Sequence, residues 1–109
     1  MSWTVSYLPE AVDDLRALDG SQRILVRKAI QKVSTNPLPK AEGGYGTPLG
    51  NRSNTNLAGF LKVKLRAAGL RIVYHLIRRE GQMRVIVIGI REDSEVYQEA
   101  QKRIDDYGI

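Results

Sequence analysis

The period of the apolar positions changes along this chain, and each change marks an element. Trp3-Thr4-Val5-Ser6-Tyr7 alternates large apolar with small polar residues, the pattern of a short strand with one buried face. Pro9 suits the first turn of a helix, and Ala11, Val12, Leu15 and Leu18 then recur at helical spacing with Asp13, Asp14 and Arg16 on the other side. Gly20 supplies a stop. A second helix follows at once, capped by Ser21 or Asp19, with Leu25, Val26, Ala29, Ile30 and Val33 as its buried stripe until Asn36-Pro37 ends it. Two amphipathic helices linked this tightly predict a helical hairpin.

Asn36 to Asn56 holds three of the four prolines and a run of glycines, which predicts a long irregular connection with at most a brief turn near Pro48-Leu49. Gly43-Gly44-Tyr45-Gly46 lacks the preceding strand and the following lysine-bearing helix of a phosphate-binding loop. From Leu57 the pattern is that of strands: Leu57–Arg66, Leu70–Arg78 and Met83–Arg91, separated by Ala67-Ala68-Gly69 and Arg79-Glu80-Gly81-Gln82. Turns this short force antiparallel hairpins, so a three-stranded meander is expected, with the first strand added at an edge. Val85-Ile86-Val87-Ile88 is apolar on both faces and should be the most buried stretch. Asp93-Ser94-Glu95 starts a last helix, and Val96, Ala100 and Ile104 space it to an end near Gly108. The expected fold is α+β in the order β-α-α-β-β-β-α, one domain over residues 1–109.

Composition narrows the chemistry. The chain has no cysteine, which removes disulfides, thiolate metal sites and a cysteine nucleophile. Met1-Ser2-Trp3-Thr4 does not open a targeting signal, and no segment approaches the roughly 18 apolar residues of a membrane span. A cytoplasmic protein without a membrane partner is expected. The net charge is +5, but Arg52 to Arg91 carries nine lysines and arginines against one acid, Glu80, a local charge of +8 that leaves the remainder at −3. A cationic middle suits a polyanion. Charge alone equally allows a solvated surface, so placement has to decide.

In Phe60-Leu61-Lys62-Val63-Lys64-Leu65-Arg66, alternation puts Leu61, Val63 and Leu65 on one face and Lys62, Lys64 and Arg66 on the other. On the next strand Arg71, Val73 and His75 share a face, and the hairpin brings Arg71 toward the lysine row. Crowded cations depress a lysine's pKa and disfavour the fold unless an anion sits among them. Arg91 at the end of the third strand and Tyr97 in the last helix can border the same surface, where Tyr97 would either stack a base or pack helix against sheet. RNA cleavage without a metal needs a base for the 2′-hydroxyl, a stabiliser for the phosphate charge and an acid for the leaving oxygen. His75 is the sole histidine and Glu80 the sole acid of the β region, so neither a histidine pair nor a carboxylate metal cluster is expected, and no metal or other cofactor. The burden falls on Lys and Arg.

The run from Phe60 to Tyr74, followed by Gly89-Ile90-Arg91-Glu92-Asp93-Ser94-Glu95-Val96-Tyr97, closely resembles RelE-type toxins of bacterial toxin–antitoxin pairs. The motifs are Lys-x-Lys-x-x-x-x-x-x-Arg and Arg-x-x-Ser-x-Val-Tyr, and the strand, helix hairpin and loop before them also fit. The resemblance implies a metal-independent endoribonuclease that cuts messenger RNA in the ribosomal decoding site through the 2′-hydroxyl, inhibiting translation. It implies Lys64 as general base, Arg91 as acid, Lys62 and Arg71 as groups that steady the transition-state charge, and Tyr97 as the ring that orients a base. Arg66 is added as an RNA-binding residue, and His75 as an accessory one on the Arg71 face. The complete set of five argues against the gyrase-inhibiting ParE relatives; these and an idle antitoxin-binding relative are the alternatives. Two departures stand out: Ile90 and Asp93 flank Arg91 where relatives often carry further basic residues, and the Asn36–Asn56 loop is long. The implied partners are the ribosome with its message and an acidic antitoxin of the RelB kind. No helix has the basic and amide cluster of a major-groove reader, so direct sequence-specific DNA binding is not expected.

Overall fold

The computed structural model describes residues 3–50, 57–90 and 92–109. Its elements are β1 (Thr4–Tyr7), α1 (Pro9–Ala17), α2 (Gly20–Val33), β2 (Thr47–Gly50), β3 (Leu57–Leu65), β4 (Leu70–Ile77), β5 (Gln82–Gly89) and α3 (Asp93–Tyr107). The fold is α+β, as the pattern predicts, with one strand more than expected. The strands form one sheet in the order β1-β5-β4-β3-β2. β1 runs parallel to β5, from Thr4 opposite Gln82 to Tyr7 opposite Val85, and the other neighbours are antiparallel.

Three expectations need correction. Gly20 does not stop the first helix. Leu18 turns extended (ψ 154°) after Ala17, and Asp19 caps α2, of which Gly20 is the first residue. The cap is reciprocal: the Gln22 N–H donates to Asp19 Oδ1 (2.8 Å) and the Asp19 N–H to Gln22 Oε1 (3.3 Å), so two orphan amides of the helix start are satisfied. Leu25 is not in the buried stripe of α2; it is 46% exposed, because Val26, Ile30 and Val33 already define the inward line at helical spacing. The long connection contains β2, which pairs antiparallel with β3 at the outer edge. A four-residue strand holding Pro48 is tolerated there because an edge strand has no second neighbour to bond.

The meander itself forms through turns that glycine makes possible. Arg66–Ala68 is a single 3-10 turn ended by Gly69 at φ +67°, and Arg78–Glu80 repeats the device before Gly81. The core is one cluster. Val26, Ile30, Leu61, Ile72, Tyr74, Val85, Ile86 and Ile88 belong to it, as do Val96, Ala100 and Ile104 of α3. α1 packs on β5, and α3 packs on β4 and β5. Between β4 and β5 the register slips so that Val73 faces Val87 while Tyr74 faces Val85, leaving Ile86 as an extra residue that bends the strand.

Candidate nucleic-acid interface

β3 and β4 pair with Lys62 opposite Val73 and Lys64 opposite Arg71, so the cation row on one strand meets a cation on the next, as alternation predicts. The row is not uniformly open. Lys62 is only 7% exposed, since α3 lies over this face, and its Nζ donates to Tyr97 Oη at 2.5 Å while standing 5.2 Å from the centroid of that ring. Tyr97 is 2% exposed. The ring that the resemblance assigns to base stacking is therefore a buried partner of Lys62 here, the packing alternative that its place on α3 also allows.

Lys64 is half-buried and stands at the junction of two hollows. One, of about 380 Å³, is lined by Lys40, Tyr45, Thr47, Lys62, Val63, Lys64 and Arg66. The other, of about 170 Å³, runs from Lys64 and Arg66 past Gly69 to Arg71. Arg71 donates to the Gly69 carbonyl (3.3 Å), which turns its guanidinium toward the β3–β4 turn. Arg66 belongs to that turn rather than to β3 and is exposed. Lys62, Lys64, Arg66 and Arg71 are thus brought together, and Tyr97 is joined to them through Lys62. Arg91 lies outside the described residues.

His75 sits apart. It faces Phe60 across the strands and stacks on it, with ring centroids 4.3 Å apart and planes inclined by 20°. It lines neither hollow. Its Nδ1 is buried without a hydrogen-bond partner, and burial, helped by the charge of Arg84, holds its pKa below the ordinary 6.5. Its position on the Arg71 face is as expected, but its surroundings are those of a packing residue.

Two residues of the basic hollow escape sequence reasoning, Lys40 and Tyr45. Both come from the stretch read as irregular. The one signal available was a tyrosine within a glycine run that follows a lysine, an aromatic beside cations in a polar loop.

No family model matches the chain. It is 33% identical over 104 residues to the mRNA interferase toxin RelE of Escherichia coli K12, a match covering 95% of this chain and 99% of the relative. The chain belongs to the RelE family of toxins. Among solved structures, a double arginine-to-alanine mutant of E. coli RelE in the free state superposes with a TM-score of 0.72 at 30% identity, covering 95% of this chain and 99% of that one. The same mutant bound to a peptide of the antitoxin RelB gives 0.70 at 29% identity, covering 92% and 95%. The RelE fold therefore extends over the α1–α2 hairpin and the sheet alike, not only over the motif-bearing β3 to α3.

Proposed function

We propose that this chain is the toxin of a type II toxin–antitoxin pair and a messenger-RNA endonuclease that acts on ribosome-bound message. The observation that carries the reading is the pairing of Lys64 with Arg71 beside Lys62, in a chain one-third identical to an mRNA interferase. Three cations on one sheet face and Arg66 on the adjoining turn, with a hollow large enough for a nucleotide, suit a phosphodiester better than they suit each other.

In the proposed reaction the 2′-hydroxyl oxygen attacks the adjacent phosphorus. Its proton passes to the Lys64 amine, the bond from phosphorus to the 5′-oxygen breaks, and Arg91 supplies the proton that oxygen takes up. A 2′,3′-cyclic phosphate and a free 5′-hydroxyl result. Arg71 and Lys62 stabilise the extra negative charge of the pentacoordinate phosphate. Lys62 is held for this task by Tyr97, so Tyr97 acts as its positioning residue in the conformation described; stacking of Tyr97 on a base requires α3 to shift. The chemistry uses no metal or cofactor.

An acidic antitoxin of the RelB kind is the proposed partner, on the support that E. coli RelE has been solved with a RelB peptide and that a basic face attracts carboxylates as it attracts phosphates. The test is primer extension on message bound to ribosomes, with free RNA as control, for wild type, Lys64→Ala and Arg91→Ala. Cuts at decoding-site codons that fall by about a hundredfold or more in both variants are expected from the loss of a general base or acid. Intact message with wild-type protein overturns the reading, and inhibition of DNA supercoiling in its place would assign a ParE-like activity.

A further inference from the structure

We infer that Tyr45 is a base-stacking platform for a nucleotide of single-stranded RNA, with Lys40, Lys64 and Arg66 receiving the neighbouring phosphates. The inference rests on reading the basic hollow as an RNA site and adds to it a recognition element. Tyr45 is 42% exposed, yet it is not on a loose segment. Its N–H donates to the Asn36 carbonyl (3.1 Å), Lys40 N–H to Gly46 O (2.8 Å) and Gly46 N–H to Leu38 O (3.1 Å), which closes a small backbone ring around it. Tyr74, buried in the sheet, donates its hydroxyl to Pro37 O at 2.6 Å, and Arg78 grips Glu42 with two bonds of 2.9 and 2.6 Å. Gly46 presses so close to the sheet that a Cβ would lie 2.2 Å from Tyr74 Oη and 2.6 Å from Leu61 Cδ2.

These anchors hold an aromatic ring in water, where apolar surface is costly, at the wall of a hollow that Lys40, Lys62, Lys64 and Arg66 also line. Lys32 adds a cation to the ring, its Nζ 5.1 Å from the centroid, which fixes the ring's orientation further. A preorganised aromatic flanked by lysine and arginine is the arrangement that binds unstacked bases with little sequence demand. Tyr97 is buried between α3, which bears it, and the sheet, so in this conformation Tyr45 is the ring that lines the hollow.

The test is binding of an uncleavable oligoribonucleotide, 2′-O-methylated at every sugar, followed by fluorescence anisotropy at low salt. Tyr45→Ala should weaken binding about tenfold, the scale of one lost base stack, whereas Tyr45→Phe and Tyr45→Trp should stay near wild type. An abasic site walked along the oligonucleotide should at one position cost the wild type the same factor and cost Tyr45→Ala nothing more. Affinity unchanged by Tyr45→Ala, losses that multiply at every abasic position, or no binding by wild type each overturn the platform. The two readings separate cleanly: Tyr45-dependent binding by a protein that leaves ribosomal message intact would sink the nuclease reading and keep the platform, while normal cutting with Tyr45-independent binding would do the reverse.

Discussion

Arg103 and Asp14, 89 residues apart, together occupy the place of a missing strand. β1 accompanies β5 only from Gln82 to Val85, and beyond it the backbone of β5 would be bare. There the Ile88 N–H donates to Asp14 Oδ2 (3.0 Å) and the Ile86 carbonyl accepts from Arg103 Nη1 (2.8 Å), while the guanidinium makes two bonds to the Asp14 carboxylate (2.6 and 3.1 Å). One ion pair satisfies the edge and ties α1 to α3. Burial opposes the charge on Arg103, but Asp14 and then Glu99 outweigh it and raise its pKa.

Arg103→Met should therefore destabilise the protein by about 3 kcal/mol, as expected when one partner of a buried pair is removed. Urea unfolding is the measurement, read as a lower midpoint at unchanged slope. The double variant Asp14→Leu with Arg103→Met should recover part of the loss, since the Asp14 carboxylate is then no longer left without its guanidinium.

Tyr97→Phe removes the hydroxyl that Lys62 holds and keeps the ring in the core. A stability loss of about 2 kcal/mol is expected for a buried bond to a charged group. Cutting should fall in Tyr97→Phe as far as in Tyr97→Ala if holding Lys62 is the role, and should stay near wild type in Tyr97→Phe, with the loss confined to Tyr97→Ala, if stacking of the ring is what matters. Cleavage rates at saturating ribosome concentration separate the two.

His75 predicts a dependence on pH. Its folded-state pKa lies below 6.5, so as pH falls through 6.5 the unfolded chain takes up a proton before the folded one does, and stability declines until the folded-state pKa is passed. Thermal melting between about pH 7 and 5 should show that decline. His75→Phe, which keeps a ring on Phe60 and removes the unpaired Nδ1, should remove His75's share of it.

Tyr74→Phe leaves the Pro37 carbonyl buried without its donor, and a loss of about 1–3 kcal/mol is expected. Because that bond anchors the loop bearing Tyr45, hydrogen exchange at the Tyr45 and Gly46 amides should accelerate more than exchange in β5. Equal acceleration everywhere would mean the loop is not a separate unit.

The elements legible in the sequence are those whose signals are local. β3, β4 and β5 are readable because strict alternation in Leu61–Leu65 fixes a face and the short glycine-bearing turns fix the pairing, and the Lys64–Arg71 encounter follows from that register alone. β2 was not, because Thr47-Pro48-Leu49-Gly50 has no strand pattern of its own; β3 imposes its extended form. Alternation also places Lys62 on the cationic face correctly yet says nothing about what lies over it, so the burial of Lys62 beneath α3, against Tyr97, needed the tertiary structure. Lys40 and Tyr45 escaped for a similar reason, since their loop is shaped by distant groups: Tyr74, Arg78 and the side chain of Leu61.

The parallel pairing of β1 with β5 sets an order on assembly. β1 is synthesised first of the five strands, but its partner is synthesised last, so a growing chain carries Thr4–Tyr7 as an unpaired segment while the hairpins of β3, β4 and β5 form locally. Closing that loop comes late and is slow relative to hairpin formation. Lys62 meets Tyr97 later still, because α3 follows β5 along the chain. A half-made chain thus has its lysines but not the helix that holds them, and the basic site is completed only after the sheet.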